Sequence, residues 1–292
     1  MTPGASFSQR RLIPPVLLGL GLITALALAG LGGGASYSRI LSCAATGGHA
    51  GVLPDSRSIG SENRLYSPPD GARVIAAAVD GVSCAVRFNV YARPGGLTNR
   101  SEISRPQVLW RSGQTKWYAL SLLLGRRHPW PGRGGWMIVT QFFAEDVHHG
   151  LSGGSPPVAI EVTSSGHLVL DIRGGRKVAP TAAAPLSAEY DLGTATSGVW
   201  HDLLLRVTWS TDAAGRVEAW QRTRGQRFTR TPQVDARGPN VLTVAGDVLP
   251  VYAEVGIYRS SARFPQVTYF GGLGAFASRR GADAFLERPA HR

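Results

Sequence analysis

The sequence predicts an all-β protein built as a sandwich of two antiparallel sheets, and three observations support that prediction. From about residue 72 onward, short segments alternate apolar and polar residues, as strands with one buried face do. Turn-forming residues separate these segments, since the chain contains 37 glycines and 19 prolines. No long segment has the apolar spacing of a helix. A single domain of about 200–250 residues is normal for such a sandwich.

The first 35 residues are typical of a secretory signal peptide. Arg10 and Arg11 precede an apolar run, Leu12–Leu31, and small residues follow up to Ala35, near which we expect cleavage. The run approaches the ~20 residues of a membrane span, so a retained membrane anchor is the alternative. A proline pair inside the run shortens the usable helix and favours cleavage. We therefore predict a secreted, extracellular protein with no membrane contact after cleavage.

The remaining chain divides into three predicted parts. Residues 36–71 form a Ser/Gly/Pro-rich extension, residues 72–280 form the β domain, and residues 281–292 form a C-terminal tail. Cys43 and Cys84 are the only cysteines, and an even pair in an exported protein predicts a disulfide. Such a bond would close a loop of about 40 residues and stabilise the fold by roughly 3–4 kcal/mol. The histidine spacing that a zinc site built on these cysteines needs is missing.

Strands are predicted throughout the β domain. In chain order they are Ala72–Val79, Ser83–Ala92, Glu102–Trp110, Lys116–Leu124, Gly135–Phe143, Val158–Val162, His167–Ile172, Trp200–Trp209, Arg216–Arg222, Tyr252–Tyr258 and Gln266–Phe270. Turn residues at 164–166 and 212–215 predict two hairpins. In the second hairpin Leu203, Leu205 and Val207 share one face, so this pair of strands is expected to contribute to the core.

The strand from Val251 to Arg259 has an unusual polar face. Its apolar residues alternate with a polar set formed by Tyr252, Glu254, Gly256 and Tyr258. Two phenols, a carboxylate and a glycine gap are uncommon on a purely structural strand. Together with the segments 99–103 and 140–143, this face predicts a groove in which a sugar chain lies, with Gly256 leaving room for the sugar.

The charge favours a polyanionic partner. The formal net charge is +12 with a pI near 10.6, and arginine supplies nearly all of the positive charge. A basic surface attracts nucleic acid, acidic polysaccharide or an anionic membrane. The basic residues are scattered, and neither an RNA-binding motif nor a helix-turn-helix pattern is present. Nucleic acid is therefore the weaker interpretation and is not expected, whereas the charge alone leaves acidic polysaccharide and an anionic membrane both open.

Five short motifs occur in an order that resembles a known group of enzymes. They are Arg-Ser-Glu at Arg100–Glu102, Trp-(x)n-Gln at Trp136–Gln141, Ser-Pro-Pro-x-Ala-Ile at Ser155–Ile160, Gly-Val-Trp-His-Asp at Gly198–Asp202 and Tyr-x-x-x-Gly-Ile-Tyr at Tyr252–Tyr258. The ordered set is similar to the heparin lyase I-like and glucuronan lyase-like polysaccharide lyases, and more distantly to alginate lyases. It spans about residues 72–270.

The resemblance implies a fold and a reaction. The fold would be a concanavalin-like β-jelly-roll sandwich of two antiparallel sheets with a concave groove. The reaction would be β-elimination on a uronic-acid polysaccharide, in which donors neutralise the carboxylate, a base removes the C5 proton and an acid protonates the departing O4. No cofactor or metal is needed, a structural Ca²⁺ is compatible with this scheme, and a monomer is expected.

The resemblance also implies roles for particular residues. Tyr258 matches the catalytic tyrosine, and Gln141 and Arg100 match the residues that contact the uronate carboxylate. Glu102 is expected to orient Arg100 through a charge-assisted hydrogen bond. The predicted substrate-binding residues are Glu102, Phe143, Tyr252, Glu254, Arg259, His148 and His149.

Two positions depart from the motifs of the relatives. Phe143 stands where a histidine is expected two residues after the glutamine, and Glu254 stands where a lysine is expected. Two hypotheses restore the chemistry: Tyr258 serves as both base and acid, or the loop histidines His148 and His149 reach the groove. The alternative is a non-catalytic, lectin-like jelly-roll that binds carbohydrate without cleaving it. A glycoside hydrolase is not expected, since the sequence lacks a Glu-x-Asp-x-Glu segment.

Overall fold

A computed structural model describes most of the β domain and short parts of the preceding extension. The described residues are 37–41, 51–52, 64–66, 72–75, 79, 82, 85–90, 100–104, 110–126, 135–146, 151–152, 154–179, 184–260 and 264–287.

Nearly all of the described chain is β-strand. The elements are β1 (Tyr37–Leu41), β2 (Gly51–Val52), β3 (Arg64–Tyr66), β4 (Ala72–Ile75), β5 (Ala85–Val90), β6 (Arg100–Ser104), β7 (Thr115–Leu124), β8 (Trp136–Asp146), β9 (Leu151–Ser152), β10 (Val158–Thr163), β11 (His167–Lys177), β12 (Leu186–Thr194), β13 (Trp200–Thr208), β14 (Arg216–Thr223), β15 (Val234–Arg237), β16 (Leu242–Val244), β17 (Asp247–Val248), β18 (Val251–Arg259), β19 (Gln266–Phe276) and α1 (Arg279–Glu287).

These strands form two sheets. The first, called here the helix-side sheet, has the order β15-β14-β13-β7-β19-β5-β4-β2, with β1 also paired to β19. The second, called the groove sheet, has the order β17-β16-β11-β10-β8-β18-β6-β3, with β12 added beside β11 and β9 beside β8. In the groove sheet β16 runs parallel to β11, while the strands that carry the site pair antiparallel. The fold is a β-jelly-roll, as expected.

The core lies between the two sheets. The apolar alternate residues of β18 are buried in it, which confirms the two-faced pattern read from the sequence. Aromatic rings fill its centre: Tyr118 packs edge-on against Phe142 with centroids 4.7 Å apart and against Trp110 at 5.0 Å. The buried Trp209 indole donates a hydrogen bond to the Tyr118 hydroxyl at 2.8 Å. The Trp209 indole nitrogen and the Tyr118 hydroxyl therefore bond to each other, so each of these buried polar groups has a partner within the protein.

The predicted strands lie where the sequence placed them, with shifts at their ends. Both predicted hairpins are present, because β10 pairs antiparallel with β11 and β13 with β14. In the first, Gly166 adopts a φ of 77°, which suits glycine in a tight turn. The strands predicted over 72–79 and 102–110 are shorter, ending at Ile75 and Ser104. Isolated bridges at Val79 and Trp110 mark the far ends of those segments.

The predicted extension is part of the sandwich. Strand β1 pairs with β19, β2 pairs with β4, and β3 pairs with β6. Residues 36–71 therefore contribute strands to both sheets, and the interpretation of this stretch as a surface meander is wrong for these segments. Cys43, Cys84 and the first 35 residues lie outside the described residues. In the part of the chain that is described, no helix is long and apolar enough to cross a membrane.

A short helix was missed by the sequence interpretation. Helix α1 crosses the predicted boundary between domain and tail, and it buries Ala282 and Leu286 against the helix-side sheet. Beneath it, the indole rings of Trp117 and Trp220 stack with centroids 5.6 Å apart. The helix has only nine residues, so its apolar spacing is too brief to stand out in a sequence window.

Candidate active site

Three neighbouring strands of the groove sheet bring the predicted site residues together. In the register of β18 with β6 and β8, Tyr258 lies opposite Arg100 and Glu254 lies opposite Gln141. Glu102 follows Arg100 by two residues, so the alternation of β6 places both side chains on the same face. Segments separated by more than 100 residues in the sequence thus form one polar cluster on the sheet face that points away from the core.

The centre of this cluster is a hydrogen-bonded network. The Arg100 guanidinium donates from Nε to Glu102 and from Nη2 to Glu254, the second contact measuring 2.6 Å. The Gln141 amide nitrogen donates to Glu102 Oε1 at 3.1 Å and to Glu254 Oε2 at 2.5 Å. Both carboxylates are buried, whereas the Arg100 side chain is 30% exposed. One cation and one amide therefore serve two buried carboxyl groups.

This arrangement changes the protonation of the carboxyl pair. The pKa of Glu254 is raised to about 8, first by burial and then by the negative charge of Glu102, while Arg100 offsets only part of these two effects. Burial also raises the pKa of Glu102, against the opposing effect of Arg100. Since a single guanidinium cannot neutralise two buried carboxylates, we infer that the pair retains one proton near neutral pH.

Gln141 occupies a different position from the one expected. The sequence interpretation had it contact the uronate carboxylate of the substrate. In the structure its side chain is buried, and its amide nitrogen already donates to both Glu102 and Glu254. An amide nitrogen has two hydrogens, so both are engaged. Gln141 therefore bridges the two carboxyl groups, and Arg100 is the member of the cluster that reaches solvent.

Tyr258 lies at the edge of the cluster with its ring held on two sides. Its ring packs edge-on against Trp136 with centroids 4.9 Å apart, and the Arg100 guanidinium carbon lies 5.0 Å from its centroid. The side chain is half-buried. Within the described part of the chain, the Tyr258 hydroxyl accepts and donates no hydrogen bond. The ring is thus fixed while the hydroxyl stays available to a bound molecule.

Strand packing explains why position 256 is a glycine, which the sequence alone did not reveal. Its φ is 144°, and a Cβ at this position would lie 2.1 Å from the Ser101 carbonyl oxygen and 2.7 Å from Glu102 Cα. The glycine thus permits close approach of β6 to β18. The expectation that it makes room for a sugar is replaced by this packing requirement, which sets the spacing between Arg100 and Tyr258.

Phe143 and Tyr252 form a second pair on the same sheet face. Their rings pack edge-on with centroids 6.0 Å apart, and the Tyr252 hydroxyl donates to Glu145 Oε2 at 2.8 Å. Tyr252 is buried and Phe143 is half-buried. A phenyl ring can offer an apolar surface but transfers no proton, so Phe143 cannot replace the expected histidine in acid–base chemistry.

Arg259 is not brought into the groove. Its guanidinium donates to Gln266 Oε1 and to the Phe264 carbonyl, each at 2.7 Å, and its side chain is buried. The alternation of β18 places it on the face opposite Tyr258. Burial lowers its pKa to about 10. The expectation that Arg259 binds substrate is therefore wrong, because the side chain joins β18 to the start of β19.

The remaining predicted positions lie outside the described residues. His148 and His149 belong to the segment between β8 and β9, where only the strands themselves are described. Their proposed approach to the groove stays a hypothesis. In the described ranges, no group of three or more His, Cys, Asp or Glu side chains is arranged to hold a metal ion.

A cavity beside Tyr258 was not anticipated from the sequence. Its volume is about 530 Å³, and Trp136 and Tyr258 form one wall of it. Charged side chains from β10, β11 and β12 also line it: Glu161, Asp171, Arg173 and Glu189. These residues alternate along their strands, but only the pairing of three strands shows that they face one space. The cavity extends the site sideways from the Arg100 cluster.

The structure is therefore a jelly-roll whose groove sheet carries a polar cluster and a tyrosine–arginine pair. The family described as polysaccharide lyase matches residues 58–273, and the chain belongs to this family. A search of curated proteins finds no match.

Two solved structures show the same fold. The endo-β-1,4-glucuronan lyase from the fungus Trichoderma reesei is 14% identical, with 83% of this chain and 95% of that chain covered and a TM-score of 0.55. The marine PL-14 alginate lyase from Aplysia kurodai is 13% identical, with 82% and 98% covered and a TM-score of 0.52. At these identities the likeness concerns the jelly-roll architecture, and the chain spans nearly the whole length of both proteins.

Proposed function

We propose that this protein is a lyase that cleaves a uronate-containing polysaccharide by β-elimination, with Tyr258 as the residue that moves the proton. The observation that carries the proposal is the Tyr258 side chain: its ring contacts the Arg100 guanidinium and lines a cavity in a polysaccharide lyase fold, and its hydroxyl has no hydrogen-bond partner among the described residues. A phenol and a guanidinium side by side provide a proton carrier and a partner for a carboxylate.

The proposed reaction assigns one task to each group. Arg100 binds the uronate carboxylate and stabilises the charge that develops on it as the C5 proton leaves. Tyr258, as the phenolate, takes that proton; a C4–C5 double bond forms as the C4–O4 bond breaks. The phenol then returns the proton to O4 of the departing sugar. The same residue can act twice when the proton and the leaving oxygen lie on one side of the ring.

The proposed chemistry depends on the buried residues that contact Arg100 directly or through one another: Glu102, Glu254 and Gln141. Glu102 and Glu254 accept charge-assisted hydrogen bonds from Arg100, and Gln141 donates to both of these carboxyl groups. Retention of one proton by the carboxyl pair leaves the cluster close to neutral instead of negative, so Arg100 can still attract an anionic sugar. This explains how the site can bind an anionic sugar although Glu254 stands at the position where the motif of the similar lyases has lysine.

The proposal includes the setting in which the enzyme works. Export through the N-terminal signal segment places it with extracellular polysaccharides and permits the Cys43–Cys84 disulfide. We propose a monomer that needs no cofactor for the elimination. Intact-mass measurement of the secreted protein, with and without reductant, tests both cleavage near Ala35 and the disulfide.

The test of the function is product formation. Elimination creates an unsaturated uronate that absorbs in the ultraviolet, and we expect this signal from at least one of glucuronan, alginate, heparin and heparan sulfate. Tyr258→Phe should lower turnover by about a thousandfold or more while leaving binding in place. Tyr269→Phe, a half-buried tyrosine of the helix-side sheet, is the matched control. Binding to these polymers without any product would reject the proposal in favour of the lectin-like alternative.

A further inference from the structure

The cavity beside Tyr258 is placed to receive the sugar next to the one that is cleaved. Trp136 and Tyr258 form its wall on the β8 and β18 side, and Tyr258 also contacts Arg100. Tyr258 thus borders both the Arg100 cluster and the cavity, so a polymer whose uronate carboxylate lies on Arg100 can extend towards the cavity. The volume of about 530 Å³ is large enough for a sugar ring and its substituents.

The charges in the cavity oppose a second uronate. Three carboxylates, those of Glu161, Asp171 and Glu189, face one guanidinium, that of Arg173. Arg173 is committed to Asp171, with an Nη2–Oδ2 distance of 2.6 Å. A uronate carboxylate in this space would meet the two remaining carboxylates, and like charges at contact distance disfavour binding.

The negative charge of this cavity lining contrasts with the positive net charge of the whole chain. The chain carries a formal net charge of +12, so a surface of average composition would be basic. Glu161 is half-buried and has no hydrogen-bond or ion-pair partner among the described residues. Its pKa is raised to about 7 by burial and by the neighbouring Asp171 and Glu189, while Arg173 lowers it only in part. A cation in the cavity would relieve this repulsion.

We propose that the cavity beside Tyr258 is a subsite for a sugar that carries a free amino group. The substrate is then an alternating polymer of a uronate and an unsubstituted amino sugar. The ammonium group contacts Glu161 and Glu189, and the apolar face of the ring lies against Trp136. This inference rests on the proposed lyase function, since it places the uronate on Arg100.

The test compares three polymers that contain glucuronate and differ in the sugar beside it. They are a polymer of glucuronate alternating with N-acetylglucosamine, the same polymer after chemical removal of the acetyl groups, and a homopolymer of β-1,4-glucuronate. We expect kcat/KM for the free-amine polymer to exceed both others by about tenfold, the effect of roughly one partly buried charge pair. Equal values for the acetylated and free-amine polymers, or a preference for the homopolymer, would overturn the subsite.

Variants identify the residues responsible. Glu161→Gln and Glu189→Gln keep the side-chain shape and should each lower kcat/KM for the free-amine polymer while leaving the acetylated polymer unaffected. Glu287→Gln, which removes an exposed carboxylate of α1, should change neither. Glu189 is exposed, so its variant is expected to fold even if the Glu161 variant does not. An unchanged free-amine preference in the Glu189 variant and in a folded Glu161 variant would contradict the assignment.

Binding measurements separate this inference from the lyase proposal. Calorimetric titration with free-amine and acetylated oligosaccharides reports the subsite preference whether or not turnover occurs. A free-amine preference in binding without product from any polymer would reject the lyase and retain the subsite. Turnover of all three polymers at similar rates, with equal binding, would retain the lyase and reject the subsite.

Discussion

Glu254 shows how one residue can be misjudged from its charge alone. In sequence, a glutamate in place of a lysine reverses the charge expected beside an anionic sugar. In the structure, Glu254 is buried next to Glu102, and a single arginine serves both. The raised pKa of Glu254 means that its neutral form is favoured near pH 7. The substitution therefore alters the site less than the formal charge suggests.

This protonation predicts an unusual dependence of stability on pH. The pKa of Glu254 is about 8 in the folded protein against 4.5 for the ordinary carboxyl, so the folded state binds more protons between these values. The free energy of unfolding then falls as pH rises from about 5 to about 8, by at most ~1.4 kcal/mol per pH unit. Glu254→Gln removes this proton, so the variant should gain stability relative to wild type as pH rises.

Urea unfolding at pH 5, 6, 7 and 8 measures the effect. The exposed Glu287→Gln variant provides the matched control, and its difference from wild type should stay constant across the series. If wild-type protein instead gained on the Glu254→Gln variant with rising pH, the carboxyl would be ionised at neutral pH and the shared-proton interpretation would fail.

At the scale of elements, the site depends on how closely β6 and β18 approach. The register pairs Gly256 with Glu102, and the missing side chain of Gly256 allows the two backbones to come together. Arg100 and Tyr258 lie opposite each other two residues further along the same pair of strands. The spacing of the tyrosine–arginine pair is therefore a property of strand pairing as much as of the two side chains.

Gly256→Ala should consequently damage both the fold and the site. The new Cβ would lie 2.1 Å from the Ser101 carbonyl oxygen, and the φ of 144° is unfavourable for alanine. We expect a loss of about 2–4 kcal/mol in urea unfolding. Gly225→Ala is the control, since Gly225 also has a positive φ of 90° but a Cβ there meets nothing within 4 Å. It should cost only about 1 kcal/mol, and equal losses would argue against the close approach.

At the scale of the whole molecule, the helix-side sheet and the groove sheet have separate tasks. Helix α1 covers Ala119, Leu204 and Trp220 of the helix-side sheet, whereas the polar cluster lies on the groove sheet. Packing of the helix thus contributes to stability at a distance from the chemistry. The basic character of the chain is a second global property, because long-range charge affects how fast a polyanion arrives.

Leu286→Ala tests the division between the sheets. Leu286 is a residue of α1 that is buried against the helix-side sheet, so the truncation should lower the free energy of unfolding by about 2–3 kcal/mol. Under conditions where the variant is folded, kcat on the preferred polymer should match wild type. A large fall in kcat with unchanged folding would show that the helix influences the groove.

The net charge of +12 predicts a salt effect on polymer binding. Raising NaCl from about 0.05 M to about 0.5 M shortens the screening length severalfold, so the association rate of a uronate polymer should fall by about tenfold. Stopped-flow measurement of binding checks this, with an uncharged polymer as the control. A rate that does not respond to salt would indicate that the basic surface has no part in capture.

Period-two alternation allowed many strands of this fold to be predicted, but it did not predict which strands pair or which side chains contact each other. The two hairpins and β18 were predicted because their apolar residues recur at every second position. Strand β12 was missed because, among the described strands, it pairs with β11 alone, and several of its alternate side chains are exposed. Alternation also placed Glu254 on the groove face, and the family resemblance pointed to Gln141. Neither could show that Gln141 bridges two carboxyl groups, since that contact depends on strand register.

Arg259 has a consequence that reaches beyond the groove. It follows Tyr258 directly, and its guanidinium is held by Gln266 and the Phe264 carbonyl at the start of β19, which belongs to the opposite sheet. The peptide that carries Tyr258, the proposed catalytic residue, is thus tied to the other sheet of the sandwich. In a mutational scan for activity, we expect substitutions at position 266 to reduce turnover although the Gln266 side chain is buried away from the groove, so any redesign of the groove has to preserve this contact with the other sheet.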